Sequence, residues 1–537
     1  MKHRKPPPKA VLLQLQKLYK TDERIGERLG DVPAYLVAYW RRKKGIPRYS
    51  LPKFSEAEIR NLWERFGDDE KAGLELGISK AAFYNWRRRY NIREKPAFLK
   101  LEQLEFDFPG ARQTTTANNM WGKRTIARKI LARLANQKTV EVGETITVEP
   151  DLVLTGELTA PAIREFRERG GEVVANPGKV ILSVHASGET AETGVGAAAQ
   201  REFARRQGIK NVYDLRDGVA HQVAMESGLV LPGTLTAAGQ PAACGLGALS
   251  ALSLPLTATA TADIWQGKKM SVTVPASVEI SLIGRRAHHV CAADMALEVV
   301  ARMAQQPVAG KVLELTGSAV SHLSITERFV MTSMCAALGV VGAVAPYDAT
   351  VRRWLSGRTI TRYTPTLPDK DAEYDDRYQI SVDQLVPRLA GPNDSTRVRA
   401  VAELAQTPVQ LIMIGSCEGG RFDELRVAAD ILKGGKVHPD CRLLVIPGSR
   451  RVFLEALKKG LIRVFLEAGA IVTPPAFCVC RQPAAELFEQ GERALVTGPS
   501  HFADRLGIPE AEVYLCSPAT AAASALHGVI TDPTGRI

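Results

Sequence analysis

An apolar run, Val409–Ile414, leads straight into the glycine-containing turn GSCEGGR at 415–421 and then into a helical pattern over Phe422–Lys433. A second apolar run, Arg442–Pro447, precedes a second helical pattern at Arg451–Lys459. Strands this uniformly apolar have both faces buried, and strands joined through helices run parallel, since a parallel pair cannot be closed by a tight hairpin. Upstream, Lys179–His185 is a further strand candidate and Gln200–Gln207 a helix. From about Met120 onward the chain therefore reads as α/β, with parallel sheets covered by helices. Ligands of such sheets sit beyond the carboxyl ends of the strands, where GSCEGGR falls.

A length of 537 residues suggests three or four domains, and 45% hydrophobic with 24% charged residues is ordinary globular composition. Eight cysteines are too few for a disulfide framework and read as reduced thiols in a cytoplasmic protein. No charged-then-apolar leader opens the chain. Two uncharged stretches resemble membrane spans. Ser227–Ala262 is broken by Pro232, Pro241 and Pro255, and Phe329–Tyr347 contains Gly339, Gly342 and Pro346. Both read as buried helix, strand or turn, so no membrane partner is expected.

The net charge of +12 is spread unevenly. Residues 1–112 hold 25 Lys/Arg against 15 Asp/Glu, whereas residues 113–537 hold 45 against 43. Such asymmetry points to an appended module with a polyanionic partner, although a solvated tail has the same composition. An internal repeat distinguishes the two. Residues 22–46 (DERIGERLGDVPAYLVAYWRRKKGI) match residues 69–92 (DEKAGLELGISKAAFYNWRRRYNI), with Asp31 extra in the first copy. Each copy predicts a short helix closed at Gly30 or Gly77, then a second helix, opened in the later copy by Ser79 as N-cap. Ile25, Leu29, Val32, Val37 and Trp40, and in the second copy Ala72, Leu76, Ile78, Phe83 and Trp86, mark the buried faces. Preceding helices at Val11–Tyr19 and Ser55–Phe66 would complete two three-helix cores. The pattern resembles a helix-turn-helix, whose second helix enters the DNA major groove. Double-stranded DNA is the predicted partner, with Arg41, Arg42, Lys43, Lys44, Arg87, Arg88 and Arg89 on phosphates. A pair of basic hairpins that bind protein would carry the same pattern. The units occupy 1–50 and 51–96, followed by a linker at 97–119 punctuated by Pro109-Gly110.

The remainder carries a specific resemblance. GELTAP at 156–161, GVAHQV at 218–223, GLVLPG at 228–233 and GSCEGGRFDELRVAADILKGGKV at 415–437 resemble, in order, the large subunit of 3-isopropylmalate dehydratase, in the aconitase family. VIPGSRRV at 445–452, FLEAGAIVTPP at 465–475 and AEVYLCSPATAAASA at 511–525 extend the match. The resemblance implies three α/β/α domains, at 120–277, 278–390 and 391–537, around a central cleft. The chain ends just after SPATAAASA, as separate large subunits do, so a small subunit is expected in trans. In this family three cysteines hold a [4Fe–4S] cluster whose fourth iron acts as a Lewis acid. Cys417 matches the first. The other two correspond to the stretch AFCVC, with Phe477 at one ligand position, Cys480 at the other and Cys478 adjacent. Cys417, Cys478 and Cys480 are thus the candidate cluster thiols, and Cys417 and Cys480 the matched iron ligands. A C-x-C spacing presents its sulfurs differently from C-x-x-C, which weighs against an intact cluster.

Other site positions depart from the family. Its Asp-His pair reads Val184-His185, its Asp-Ser-His motif reads Gln240-Pro241-Ala242, and the Asn and Glu of its cluster-side helix read Ser333 and Ala337. The Thr-Asn after the first cysteine reads Glu418-Gly419, and the Arg of S-N-R-N-F reads Ser500, with Arg505 further on. His185, His221 and Glu157 are the retained catalytic candidates, the two histidines being equally suited to a packed core. Loss of one positioned acid, base or charge clamp commonly costs ~10²–10⁴ in rate. Three readings follow: a DNA-binding regulator with a non-catalytic dehydratase-like body, a working hydro-lyase with an unusual site, and a scaffold for a small subunit. The basic repeat and the altered site place the first ahead.

Overall fold

Parallel strands need helical crossovers, and the described residues of the computed structural model supply them. These residues are 6–46, 54–66, 78–90, 123–184, 195–214, 216–239, 241–416, 419–475, 491–498 and 511–534, with positions 69, 72, 73, 76 and 92. The chain divides into two units, Met1–Ala117 and Asn118–Ile537.

The first unit contains the helices Lys9–Tyr19, Asp22–Arg28, Ala34–Lys43, Glu56–Phe66 and Lys80–Arg89. Leu12, Ile25, Val32, Val37, Trp40 and Ile46 form one small core, with Leu29 at its edge. Ile59, Trp63, Ala72, Phe83 and Ile92 form another, with Leu76, Ile78 and Trp86 partly buried against it. The turns repeat as well. Val32 N–H donates to Gly26 O at 2.9 Å, and Ile78 N–H to Gly73 O at 2.8 Å. A Cβ on Gly26 would stand 2.0 Å from Val32 O, and one on Gly73 2.9 Å from Ile78 O, so glycine is required at both places. Gly30 takes the left-handed backbone expected at a helix end, with φ 85°; Gly77 lies outside the described residues. Ser79 accepts from Ala82 N–H at 3.3 Å, as an N-cap should.

One basic residue of each cluster turns inward. Arg41 Nε and Nη2 each donate to the Asp22 carboxylate at 3.1 Å, and Nη1 donates to Ile46 O at 3.1 Å. Arg87 repeats this with Asp69 at 2.8 and 2.9 Å and with Ile92 O at 2.9 Å. This clamp ties the end of the second helix to the start of the first. Arg41→Ala strands a carboxylate and a carbonyl at a cost of roughly 3 kcal/mol, and Trp40→Ala empties the core at roughly 3–5 kcal/mol. In the full chain, either change should speed hydrogen exchange of peptides from residues 9–46 by about 100-fold or more and leave residues 54–92 unchanged; unaltered exchange would refute the clamp.

Among its described residues the second unit holds three mainly parallel sheets and the two-stranded antiparallel pair Thr145–Val148 with Met270–Thr273. The first runs Asn211–Tyr213, Val180–Ser183, Leu152–Leu154, Leu235–Ala238, Leu252–Pro255 in spatial order, all parallel. The second runs Gly342–Val344, Val312–Thr316, Ser277–Ile283, Asp376–Ser381, also all parallel. The third has seven strands: Val398–Ala400, Arg388–Ala390, Glu512–Cys516, Arg493–Val496, Leu411–Gly415, Arg442–Ile446 and Ile471–Val472. Its last five are parallel and its first two form an antiparallel edge. The α/β architecture read from the strand–helix alternation is thus the observed one. Leu411, Met413, Leu444 and Ile446 of the third sheet share a core with Val278, Ile280 and Leu282 of the second and with the helix Ala292–Met303. The third sheet's other face is covered by the helices Phe422–Leu432, Leu461–Ala468 and Pro518–His527.

The stretch 227–262 becomes two strands of the first sheet, the 3-10 run Pro241–Leu249 and the start of the helix Ala258–Trp265. Among the described residues no helix is long and apolar enough to cross a membrane.

Candidate functional site

The turn after Leu411–Gly415 is locked by backbone. Gly415 and Gly420 have φ 113° and 72°, and Ser416 between them has φ 81°, a strained value for a residue with a side chain. A Cβ on Gly415 would lie 1.9 Å, and one on Gly420 2.2 Å, from Ile446 O at the end of the neighbouring strand. Ser416 N–H donates to that same carbonyl at 3.1 Å, and Gly448 N–H to Gly420 O at 2.9 Å. Thr497, after the strand on the other side, accepts from Gly415 N–H at 2.9 Å.

A second segment joins through Ser449. Gly218 bridges Ser449 in antiparallel fashion, and Val219 N–H donates to Gly448 O at 3.0 Å. The following helix, Ala220–Glu226, brings its polar side chains here. Ser449 Oγ and Gln222 Nε2 donate to Glu226 Oε1 at 2.8 and 2.7 Å. Burial pushes the Glu226 carboxyl above its ordinary value, while these two hydrogen bonds pull the other way.

The helix Ile325–Met334 supplies the third part. The Phe329 ring stacks on His221 at 5.2 Å and 18°, and the Arg421 guanidinium lies 3.4 Å from the Phe329 centroid. His221 is fully buried and Arg421 is 2% exposed. Glu424 Oε2 accepts from Arg421 N–H at 3.1 Å and lies 3.8 Å from Nη1. Burial first, with nearby Asp423 and Glu327, raises the Glu424 carboxyl to about 7 against the pull of Arg421. A buried cation on an aromatic ring, with an imidazole on the same ring and helix N-termini nearby, suits an anionic ligand.

Of the expected residues, His221 lies in this cluster. Glu157 is half-buried in the 3-10 turn Gly156–Leu158, at the carboxyl end of a strand of the first sheet. Thr159 Oγ1 donates to Ser183 O at 2.7 Å and ties that turn to the strand leading toward His185. His185, Cys417, Cys478 and Cys480 lie outside the described residues, as do Gln240, Glu418, Phe477, Ser500 and Arg505. Ser333 is fully buried and donates to Val330 O at 3.2 Å within its own helix. Ala337 packs against the core beside the helix Ala292–Met303. Of the expected phosphate contacts, Arg41 and Arg87 hold carboxylates inside their own units. Arg42, Lys43, Arg88 and Arg89 are exposed and Lys44 is half-buried. Arg421, Phe329, Glu226, Ser449 and Glu424 were not singled out from the sequence. Arg421 and Ser449 stand inside recognised segments, where their position directly after the glycines was the available signal.

The thiols also sort themselves. Among the described residues, Cys244, Cys291, Cys335, Cys441 and Cys516 form no disulfide. Burial drives the Cys291 thiol to about 12, Cys441 to about 11 and Cys335 further up. Among the described residues no group of three His, Cys, Asp or Glu could hold a metal ion.

Glu424 gives this site a pH signature. Its carboxyl is raised in the fold, so its contribution to stability is complete below its ordinary pKa and is lost as pH climbs toward 7. Glu424→Gln removes the cost of ionisation and keeps an acceptor for Arg421 N–H. The melting temperature of the variant minus that of the wild type should grow between about pH 5 and about pH 8; a constant difference would refute the assignment.

Comparison with known proteins places this arrangement. Residues 128–528 match the family model of the aconitase family (aconitate hydratase). The chain is 34% identical over 413 residues to 3-isopropylmalate dehydratase large subunit 1 of Methanopyrus kandleri, covering 76% of this chain and 99% of that one. It is 36% identical over 413 residues to the 3-isopropylmalate dehydratase large subunit of Moorella thermoacetica, covering 76% and 98%. Among solved structures, Thermococcus kodakaraensis aconitase X in its holo-form aligns with TM-score 0.44 and 12% identity, over 72% of this chain and 92% of that one.

Proposed function

The chain belongs to the aconitase family, and on that premise we propose that Asn118–Ile537 acts as a hydro-lyase large subunit of the 3-isopropylmalate dehydratase type. Its substrate class is a hydroxy di- or tricarboxylic acid, its setting the cytoplasm, and its partner a small subunit in trans. The observation that carries this reading is the meeting of His221, Phe329, Arg421 and Glu226 around the GSCEGGR turn, in a chain that spans nearly the whole length of such large subunits. A cluster held by Cys417, Cys478 and Cys480 would supply Lewis-acid polarisation of the substrate hydroxyl. Arg421 attracts a substrate carboxylate. Phe329 keeps water from the guanidinium and holds the plane of the His221 ring. Glu226, whose carboxyl burial pushes above its ordinary value, anchors Ser449 and so the strand end that carries the turn. Glu157, at the carboxyl edge of the first sheet, and His185 are the proposed proton carriers.

One observation favours a second reading, a regulator whose body binds such an acid without turning it over. The Ser333 hydroxyl is spent on its own helix and Ala337 has no polar atom, so two groups that the family places beside its cluster are missing. In that reading the basic repeat at 22–92 binds double-stranded DNA.

The deciding experiment is an anaerobic assay of reconstituted protein with a small subunit, alongside iron and sulfide analysis. Turnover of 3-isopropylmalate or citrate near ~1 s⁻¹ or above, falling ~100-fold or more in Cys417→Ser, is the expected result. Full cluster loading without turnover would overturn the hydro-lyase reading in favour of the regulator.

A further inference from the structure

The clamp leaves one face of each second helix open to solvent. Val37, Trp40 and Arg41 point one face of Ala34–Lys43 inward, and Phe83 with Arg87 does the same for Lys80–Arg89. On the opposite face stand Tyr35, Tyr39 and Arg42 in the first copy, at helical positions i, i+4 and i+7. Tyr35 and Tyr39 are 74% and 52% exposed. The equivalent positions in the second copy are Ala81, Asn85 and Arg88, all exposed, with Tyr84 46% exposed beside them.

The two copies agree where the unit is built and differ where it faces outward. Asp22 and Asp69, Gly26 and Gly73, Trp40 and Trp86, Arg41 and Arg87, and Ile46 and Ile92 are identical pairs. In the outward stripe, Tyr35 becomes Ala81 and Tyr39 becomes Asn85, while Arg is kept at the end as Arg42 and Arg88. A common scaffold under a varied stripe is what two readers of different sequences require. Solvation alone calls for no such aromatic residues, since exposed tyrosines gain nothing from water that a lysine would not.

Resting on the reading that this repeat binds DNA, we propose that the stripe Tyr35–Tyr39–Arg42 and the stripe Ala81–Asn85–Arg88 contact base edges in the major groove of duplex DNA. The surplus of cations over residues 1–112 complements phosphate. Lys43 and Arg89, free of the inward clamp, grip the backbone at the ends of the same helices. The side chains set a preference. Asn85 pairs its amide with adenine N6 and N7, the arginines pair with guanine O6 and N7, and the Tyr35 and Tyr39 rings and the Ala81 methyl pack against thymine methyls.

The test uses the full chain and a randomised duplex library, followed by fluorescence anisotropy on the selected duplex and a scrambled one. Asn85→Ala should cut the preference for the selected duplex by about 10-fold or more at one A·T pair. It should leave affinity for the scrambled duplex and the salt slope unchanged. Tyr39→Ala should act likewise at a separate position. Exposed side chains make both variants safe for folding, which circular dichroism verifies. Selection of no duplex, even at about 50 mM salt, would overturn both this proposal and the DNA reading, and would hand the stripe to an acidic protein partner. Selection of a duplex that both variants discriminate as the wild type does would overturn the stripe and leave the DNA reading standing.

Discussion

The carbonyl of Ile446 is the point on which the site is built. It ends one parallel strand, accepts Ser416 N–H at 3.1 Å, and sits 1.9 and 2.2 Å from where side chains at Gly415 and Gly420 would begin. So close an approach is open to glycine alone, and both glycines also take backbone angles that side chains resist. From that contact the chain continues to Gly448 and Ser449, which meet Gly218 and orient the helix carrying His221. In the other direction it runs through Gly420 to Arg421, the N-cap of Phe422–Leu432. Three segments far apart in sequence are thereby held in register by backbone contacts.

Burying the charges that this frame collects is the harder task. Arg421, Glu424 and Glu226 all lose most of their water, and an isolated buried charge costs several kcal/mol. The helix Ile325–Met334 relieves part of that cost. Phe329 offers its face to Arg421, and the preceding Arg328, fully buried, is itself paired with Asp348 and donates to Pro346 O at 3.1 Å. Gly245 makes room for the ring, since a Cβ there would stand 2.2 Å from it. Burial raises both the Glu226 and the Glu424 carboxyl above their ordinary values, and the hydrogen bonds of Ser449 and Gln222 to Glu226 offset part of that shift.

The architecture was legible because periodicity and glycine spacing are local signals. The runs at 409–414 and 442–447 became the strands Leu411–Gly415 and Arg442–Ile446, and the helices after them appeared within a residue or so of their expected bounds. The site was legible only as segments. GSCEGGR and GVAHQV marked the place, but the partnership of His221 with Phe329 and Arg421 spans some two hundred residues and leaves no spacing to read. Phe329 looked like one more apolar residue in an uncharged stretch. The repeat showed the opposite failure. A cluster such as Arg87-Arg88-Arg89 presents equal charges to a count, yet the helical turn sends Arg87 inward to Asp69 and the other two outward.

That distinction bears on the second unit as well. The lock at Ile446 is made of carbonyls, amides and absent side chains, so it survives any change in the chemistry of the groups it positions. Ser333 and Ala337 stand on elements that remain folded and packed, one bonded to Val330 O and the other in the core, although neither offers what an acid or amide would. Identity over nearly the whole length of these large subunits speaks for the frame, and the backbone lock fixes where its segments lie rather than which side chains they carry.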